Sequence, residues 1–417
     1  MGTQGDLSKD EELGSSHQDH NISHKETVMK GWAWTLILAG VLMALPAAPG
    51  MCGKVEDGIK IGAAGPFTGA AAAPGMEIYN SIKLAVEEKN AAGGIQGVKV
   101  ELVMGDTAGD AAQGVNVAER FCSDDRIYGV VGPAMSDIAE AVLRLYGSHD
   151  MVQISSAATK SDLTEKGYGH FFRTCARNDA YGPAVARFLV HRLEAKRVYL
   201  LNAKDAYSQG FADQVAKTLE ALGVQEVWRD TVVSGEKDYS SVLTKVKARN
   251  PDLVLFASKP PPDHTLMVRQ MRDLGIQAIY FGTEGAKDKA EFIKASEGAA
   301  EGAYVYHFAT DIHKVPEAKD YVEAYEKTYG TLSGFGPSAY EAARILLAAV
   351  ERAAEDGAID RKEVLEEVAA TKDFPSILGF PVTFDEKGDL KGGATYIFKV
   401  RGDDFELVEV VTGAGTT

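Results

Sequence analysis

From residue 59 onward the chain alternates between two hydrophobic patterns. Short continuous apolar runs have the length and composition of buried strands: IKIGAAG at 59–65, VKVELV at 98–103, IYGVVG at 127–132, MVQIS at 151–155, RVYLL at 197–201, DLVLFA at 252–257 and AIYFG at 278–282. Between them, apolar residues recur every three or four positions. The first such stretch, 76–90, places Ile78, Ile82, Ala85 and Val86 on one face, and 111–121, 136–147, 182–193, 207–222, 238–248 and 263–274 repeat the helical pattern. Strands and helices alternating at this spacing predict an α/β protein with mostly parallel sheets covered by helices on both faces. Two further helices, 318–329 and 338–355, carry interspersed Glu, Lys and Arg and predict solvated faces.

Ligands of such sheets gather beyond the carboxyl ends of the strands. The turns expected there are GPFTGAAAAPG (65–75), GDTAGD (105–110), GPAMSD (132–137), SSAATKSD (155–162), NAKDAYSQG (202–210), ASKPPPD (257–263) and GTEGAKD (282–288). They are rich in small and hydroxyl residues, and several run directly into a helix. Unpaired amides at helix N-termini together with Ser and Thr hydroxyls suit a small anionic or zwitterionic ligand. Taken singly, Ser136 and Asp110 fit equally well as helix caps. Met104 and Met135 read as packing residues, Met135 with a backbone within reach of a ligand, while His149 and His170 read as structural.

The segment before residue 59 is of another kind. Residues 1–28 are polar, which predicts disorder or a start assigned upstream of the true one at Met29. Residues 29–56 hold the uncharged run WAWTLILAGVLMAL (32–45), the length of a signal-peptide core and short of a membrane span, then Pro46-Ala47-Ala48-Pro49-Gly50 as a processing region. An N-terminal anchor is the other reading, and both put the rest of the chain outside the cytoplasm. Cys52 stands where a bacterial lipoprotein carries its lipid, although Met51 replaces the small residue usual just before it. Cys122 and Cys175 are either a pair or two buried thiols. Of 417 residues, 60 are acidic and 44 basic, a net charge of -16 that makes nucleic acid a poor partner. No GxSxG elbow, phosphate loop, HExxH, CxxC or dinucleotide fingerprint is present, so binding without a catalytic role, cofactor or metal is the expectation.

Several blocks, in order, carry a resemblance: IKIGAAGPFTGAAAAPG at 59–75, LAVEEKNAAGGIQG at 84–97, ISSAATKSDLTEKGY at 154–168, FFRTC at 171–175, AYSQGF at 206–211, GEKDYSSVLTKVKARNPDLV at 235–254 and FPVTFDEKGDLKG at 380–392. From Ile59 to about Val410 the chain resembles a periplasmic binding protein of the branched-chain amino acid (Leu/Ile/Val) type, the extracytoplasmic receptor of an ABC importer. The resemblance implies a two-lobed type I fold with three crossovers, lobe one holding 57–177 and 308–380 and lobe two 178–307 and 381–412. It implies a monomer that captures an amino acid between the lobes and presents it to membrane permease subunits. Matched loop by loop, Ser136, Ala157 and Thr159 would hold the ligand carboxylate, and Tyr207 and Glu284 would complete the site, Glu284 receiving the ammonium group.

The chain departs from the family pattern at two places. Pro74 stands where an aromatic is expected, and Ser258-Lys259-Pro260-Pro261-Pro262 replaces a loop that usually carries tyrosines. These changes leave two ligand classes open: an amino acid, or an aromatic carboxylate or amide bound by a receptor of the same shape in transport or sensing. Lys259 either points into the cleft, to meet a carboxylate, or lies on the surface.

Overall fold

The apolar runs become the strands of two sheets. This computed structural model describes residues 53–412 except Thr310 and Gly393, so the expectations for residues 1–28, the leader and Cys52 fall outside it. The first sheet has five parallel strands in the order Val100–Asp106, Ile59–Gly65, Ile127–Val131, Gln153–Ser155, Phe171–Arg173. The second has seven: Asp404–Thr412, Ala394–Arg401, Tyr304–His307, Ile279–Gly282, Leu253–Ala257, Arg197–Ala203, Glu226–Val232. Its two C-terminal strands pair antiparallel, and the other five are parallel.

Both faces of the second sheet are covered. Side chains alternate across a strand, so Val198 and Leu200 enter one apolar cluster and Tyr199 and Leu201 the other. The first sheet packs on helices Ala72–Ala91 and Gly336–Ala353. Here the structure corrects the reading of a solvated C-terminal helix. Gly336–Ala353 is buried along most of its length, and its charge Glu341 is satisfied internally by Arg344 at 2.9 Å and by the Ile377 amide at 2.9 Å. Met104, expected as a packing residue, is 39% exposed, and of the two readings of Cys122 and Cys175 the structure has the separate buried thiols.

Several strands lack the continuous apolar run that marks the others. Glu226–Val232 lies at a sheet edge and buries only Val232 fully, and the C-terminal hairpin alternates polar with apolar. Phe171–Arg173 and Tyr304–His307 are only three and four residues long.

An ion cluster ties the segments that pass between the sheets. The Arg173 side chain is fully buried and donates to Asp389 Oδ1 at 2.6 Å and to the carbonyls of Ala158 and Lys160, both at 2.9 Å. Arg177 and Thr164 donate to Asp389 Oδ2, each at 2.8 Å. The Asp389 carboxylate thus bridges Arg173 and Arg177, the second of which also pairs with Glu165 and Asp179, and through Arg173 the cluster fixes the 158–160 loop. Removing the carboxylate strands a buried charge, so Asp389→Ala is expected to cost about 3–5 kcal/mol in urea unfolding; a loss under about 1 kcal/mol would show that the cluster is not a structural tie.

Candidate ligand-binding cleft

The carboxyl ends of both sheets face a common cleft. On the first lobe, strand Ile127–Val131 turns sharply into helix Ser136–Gly147. Gly132 has φ 116°, and a Cβ there would sit 2.2 Å from the Ala64 carbonyl, so only glycine lets this turn lie against the first strand. The two candidate caps then separate. Asp110 is a true cap, accepting from the Gln113 amide at 2.8 Å. Ser136 is not: Met135 occupies the capping position, and Ser136 Oγ accepts from the Lys160 amide at 3.2 Å. Ser155 joins the same loops, donating to the Pro133 carbonyl at 2.6 Å and accepting from the Ala158 amide.

On the second lobe, Asp205 caps helix Ala206–Ala221 through the Ser208 amide, which sets Tyr207 in the first turn. Glu284 opens a 3₁₀ turn, Glu284–Ala286, directly after strand Ile279–Gly282. The Tyr207 hydroxyl donates to Glu284 Oε2, and the Tyr306 hydroxyl lies 3.1 Å from that of Tyr207. Tyr306 is itself held by stacking on Phe211, with ring centroids 4.8 Å apart.

Ser136, Ala157, Tyr207 and Glu284 all line one cavity of about 50 Å³. Thr159 does not: it is fully buried behind the wall, and its hydroxyl has no hydrogen-bond partner among the described residues. Apart from Lys259 the remaining wall is apolar, formed by Pro66, Ala71, Pro74, Ile78, Ala134, Met135 and Phe335. Phe335 gives this cleft an aromatic wall from a loop that carries no periodic signal. That loop is held by Glu77, which accepts from the amides of Ser333 (2.8 Å), Gly334 (3.0 Å) and Gly336 (2.7 Å). Met135 reaches the cavity, while His149 and His170 serve local structure, the first bonded to the Leu145 carbonyl and the second buried beside Tyr168.

The electrostatics centre on Glu284, which is 6% exposed. Among the described residues no Lys, Arg or His side chain pairs with it. Burial raises its pKa to about 7, with the Asp205 charge pushing the same way and the two tyrosine hydroxyls opposing. Lys259 is not on the outer surface: it lines the cavity, with its ammonium 2.9 Å from Asp137 and 3.6 Å from Asp205.

Two lobes closing on a small cavity that offers the Ser136 hydroxyl and a helix start on one side and a buried acid on the other define a solute-binding receptor. Residues 58–404 match the periplasmic binding protein family model, and the chain belongs to that family, as an extracytoplasmic receptor of the ABC-importer type. It is 34% identical over 341 residues to the Leu/Ile/Val-binding protein BraC3 of Rhizobium johnstonii, covering 82% of this chain and 91% of that one. It is 32% identical over 366 residues to Leu/Ile/Val-binding protein homolog 3 of Brucella melitensis, covering 88% and 97%. Among solved structures, the leucine-binding protein LivK of Thermotoga maritima superposes with a TM-score of 0.78 at 27% identity, covering 85% of this chain and 98% of that one. The substrate-binding protein LivJ of Streptococcus pneumoniae, in complex with isoleucine, gives 0.76 at 26%, covering 85% and 99%.

The Glu284 titration is directly testable in ligand-free protein. A carboxyl whose folded pKa is raised binds its proton more tightly when folded, so its contribution to stability is full below the unfolded value near 4.5 and is lost as pH rises towards about 7. The carboxyl carbon resonance of Glu284 should titrate with a midpoint near 7, and Glu284→Gln should remove that part of the pH dependence of unfolding. A midpoint in the ordinary carboxylate range would contradict the burial assigned to this group.

Proposed function

We propose that the cleft captures a free amino acid with a small apolar side chain and delivers it to the permease subunits of an ABC importer. Ser136 and the Ala157 backbone receive the carboxylate, and Tyr207 and Glu284 receive the ammonium group; Thr159, matched to the same role by sequence, lies behind the wall and takes no part. The observation that carries this reading is Glu284, a buried acid on the cavity wall bonded to the Tyr207 hydroxyl, which Tyr306 backs, and, among the described residues, to no cation. A ligand ammonium offsets the desolvation cost of its charged form. The small, largely apolar wall supports an aliphatic side chain over an aromatic one, and the names of the similar proteins agree with it. Lys259, already shared between two aspartates, offers little to a second ligand carboxylate.

The same reading has the chain exported through the leader at 29–56 and working as a monomer. The lobes exchange chain near residues 177, 307 and 380, and hinge closure over the ligand is the signal the permease reads.

Binding measured by calorimetry tests the assignment. Glu284→Gln should weaken aliphatic amino acid binding by about 100-fold, roughly 3 kcal/mol. In the wild type, affinity should fall by about fivefold between pH 7 and pH 6, because an acid with a pKa of about 7 must lose its proton before it accepts an ammonium. An unchanged affinity in Glu284→Gln would remove Glu284 from the site.

A further inference from the structure

We propose that Lys259 is a cross-cleft tie, whose ion pair with Asp137 stabilises the closed arrangement of the lobes and thereby raises the affinity of the cleft. The inference deepens the reading of the cleft given above and rests on it for the ligand, but the tie itself is a property of the ligand-free protein.

The pair joins different lobes. Asp137 is the second residue of helix Ser136–Gly147, next to the hydroxyl that faces the cavity on the first lobe. Lys259 leaves the end of strand Leu253–Ala257 on the second lobe, and its 2.9 Å contact to Asp137 exists only while the lobes are together. The side chains are mostly withdrawn from water, Lys259 at 17% and Asp137 at 30% exposure, so the pair is less screened than one on an open surface.

Lys259 is also rigidly mounted. Pro260 precedes the helix that begins with Pro261, and their rings fix φ on the carboxyl side of Lys259. A Cβ on Gly285 would lie 2.3 Å from the Lys259 carbonyl, so the Lys259 loop rests directly on the turn that presents Glu284. The second aspartate, Asp205, caps the helix that presents Tyr207 and lies 3.6 Å from the same ammonium. One lysine therefore connects the turn bearing Ser136 with the two turns bearing Tyr207 and Glu284. In the open form Asp137 loses this partner while Asp205 keeps it, so the pair adds free energy to the closed state alone and shifts the population towards it.

Interlobe distances in ligand-free protein test the tie. Nitroxide labels at the exposed positions Asn116 and Lys217, one on each lobe, report closure. The expected result is a short-distance population in the wild type that shrinks as salt rises from about 0.02 M to about 1 M. Lys259→Met and Asp137→Asn should each deplete that population and make it insensitive to salt. The double variant should go no further than either single, and Lys259→Arg should retain it. With leucine as the probe, each single variant should weaken binding by about fivefold, again without additivity. Distances unaffected by either substitution, no short-distance population in the wild type at low salt, or additive effects in the double variant would overturn the tie. Should the distances respond as described while leucine fails to bind the wild type, the ligand reading fails and the tie stands.

Discussion

A carboxylate shut away from water without a cation of its own is the constraint around which this cleft is organised. Glu284 is held in place by a short turn, by the Tyr207 hydroxyl and, through Tyr306, by an aromatic stack reaching back into the second lobe's core. Those contacts soften the cost of its charge without removing it, and the raised pKa records what remains. The second lobe thereby stores an electrostatic deficit that a ligand cation can relieve. The first lobe offers complementary chemistry, the Ser136 hydroxyl at a helix start beside the Ala157 loop. Neither half is a site alone, which is why binding and lobe closure are one event in this architecture.

The supporting structure explains how such a site holds its geometry. Arg173 and Asp389 fix the 158–160 loop from beneath, Ser155 and the Lys160 amide tie that loop to the Ser136 turn, and Glu77 clamps the loop that carries Phe335. Each of these polar groups is buried, and each is satisfied by backbone or by an opposite charge, so the loops at the cleft are as well determined as the sheets that carry them. Lys259 adds a contact of a different kind, because it spans the two lobes.

Much of this was legible in the sequence because the strands are short apolar runs ending in small-residue turns, a pattern that reports both the α/β class and the side on which ligands bind. Ala157 and Tyr207 could be placed because their turns match family blocks, and Ser136 and Glu284 because their loops follow strands in the matching order; the structure brings the four to one cavity. Other features left no such mark. Tyr306 sits in a four-residue strand without a clear period, Phe335 in a loop positioned by a glutamate more than 250 residues away, and the inward course of Lys259 depends on aspartates from two separate loops. Helix Gly336–Ala353 looked half solvated because its charges are spaced like surface residues, yet Glu341 and Arg344 neutralise each other within the packed lobe. Long-range pairing of this kind is set by the fold and has no local pattern to read.

The central claim is that the cleft recognises an ammonium group through Glu284. Calorimetric titration of the wild-type protein at pH 8 with leucine, and in parallel with 4-methyl-2-oxopentanoate, isolates that group, since the two ligands share carboxylate and side chain and differ in the amine. Tight binding of leucine with loss of at least about 100-fold for the oxo acid is the predicted result. Equal affinity for the two, or preference for the oxo acid, would contradict it.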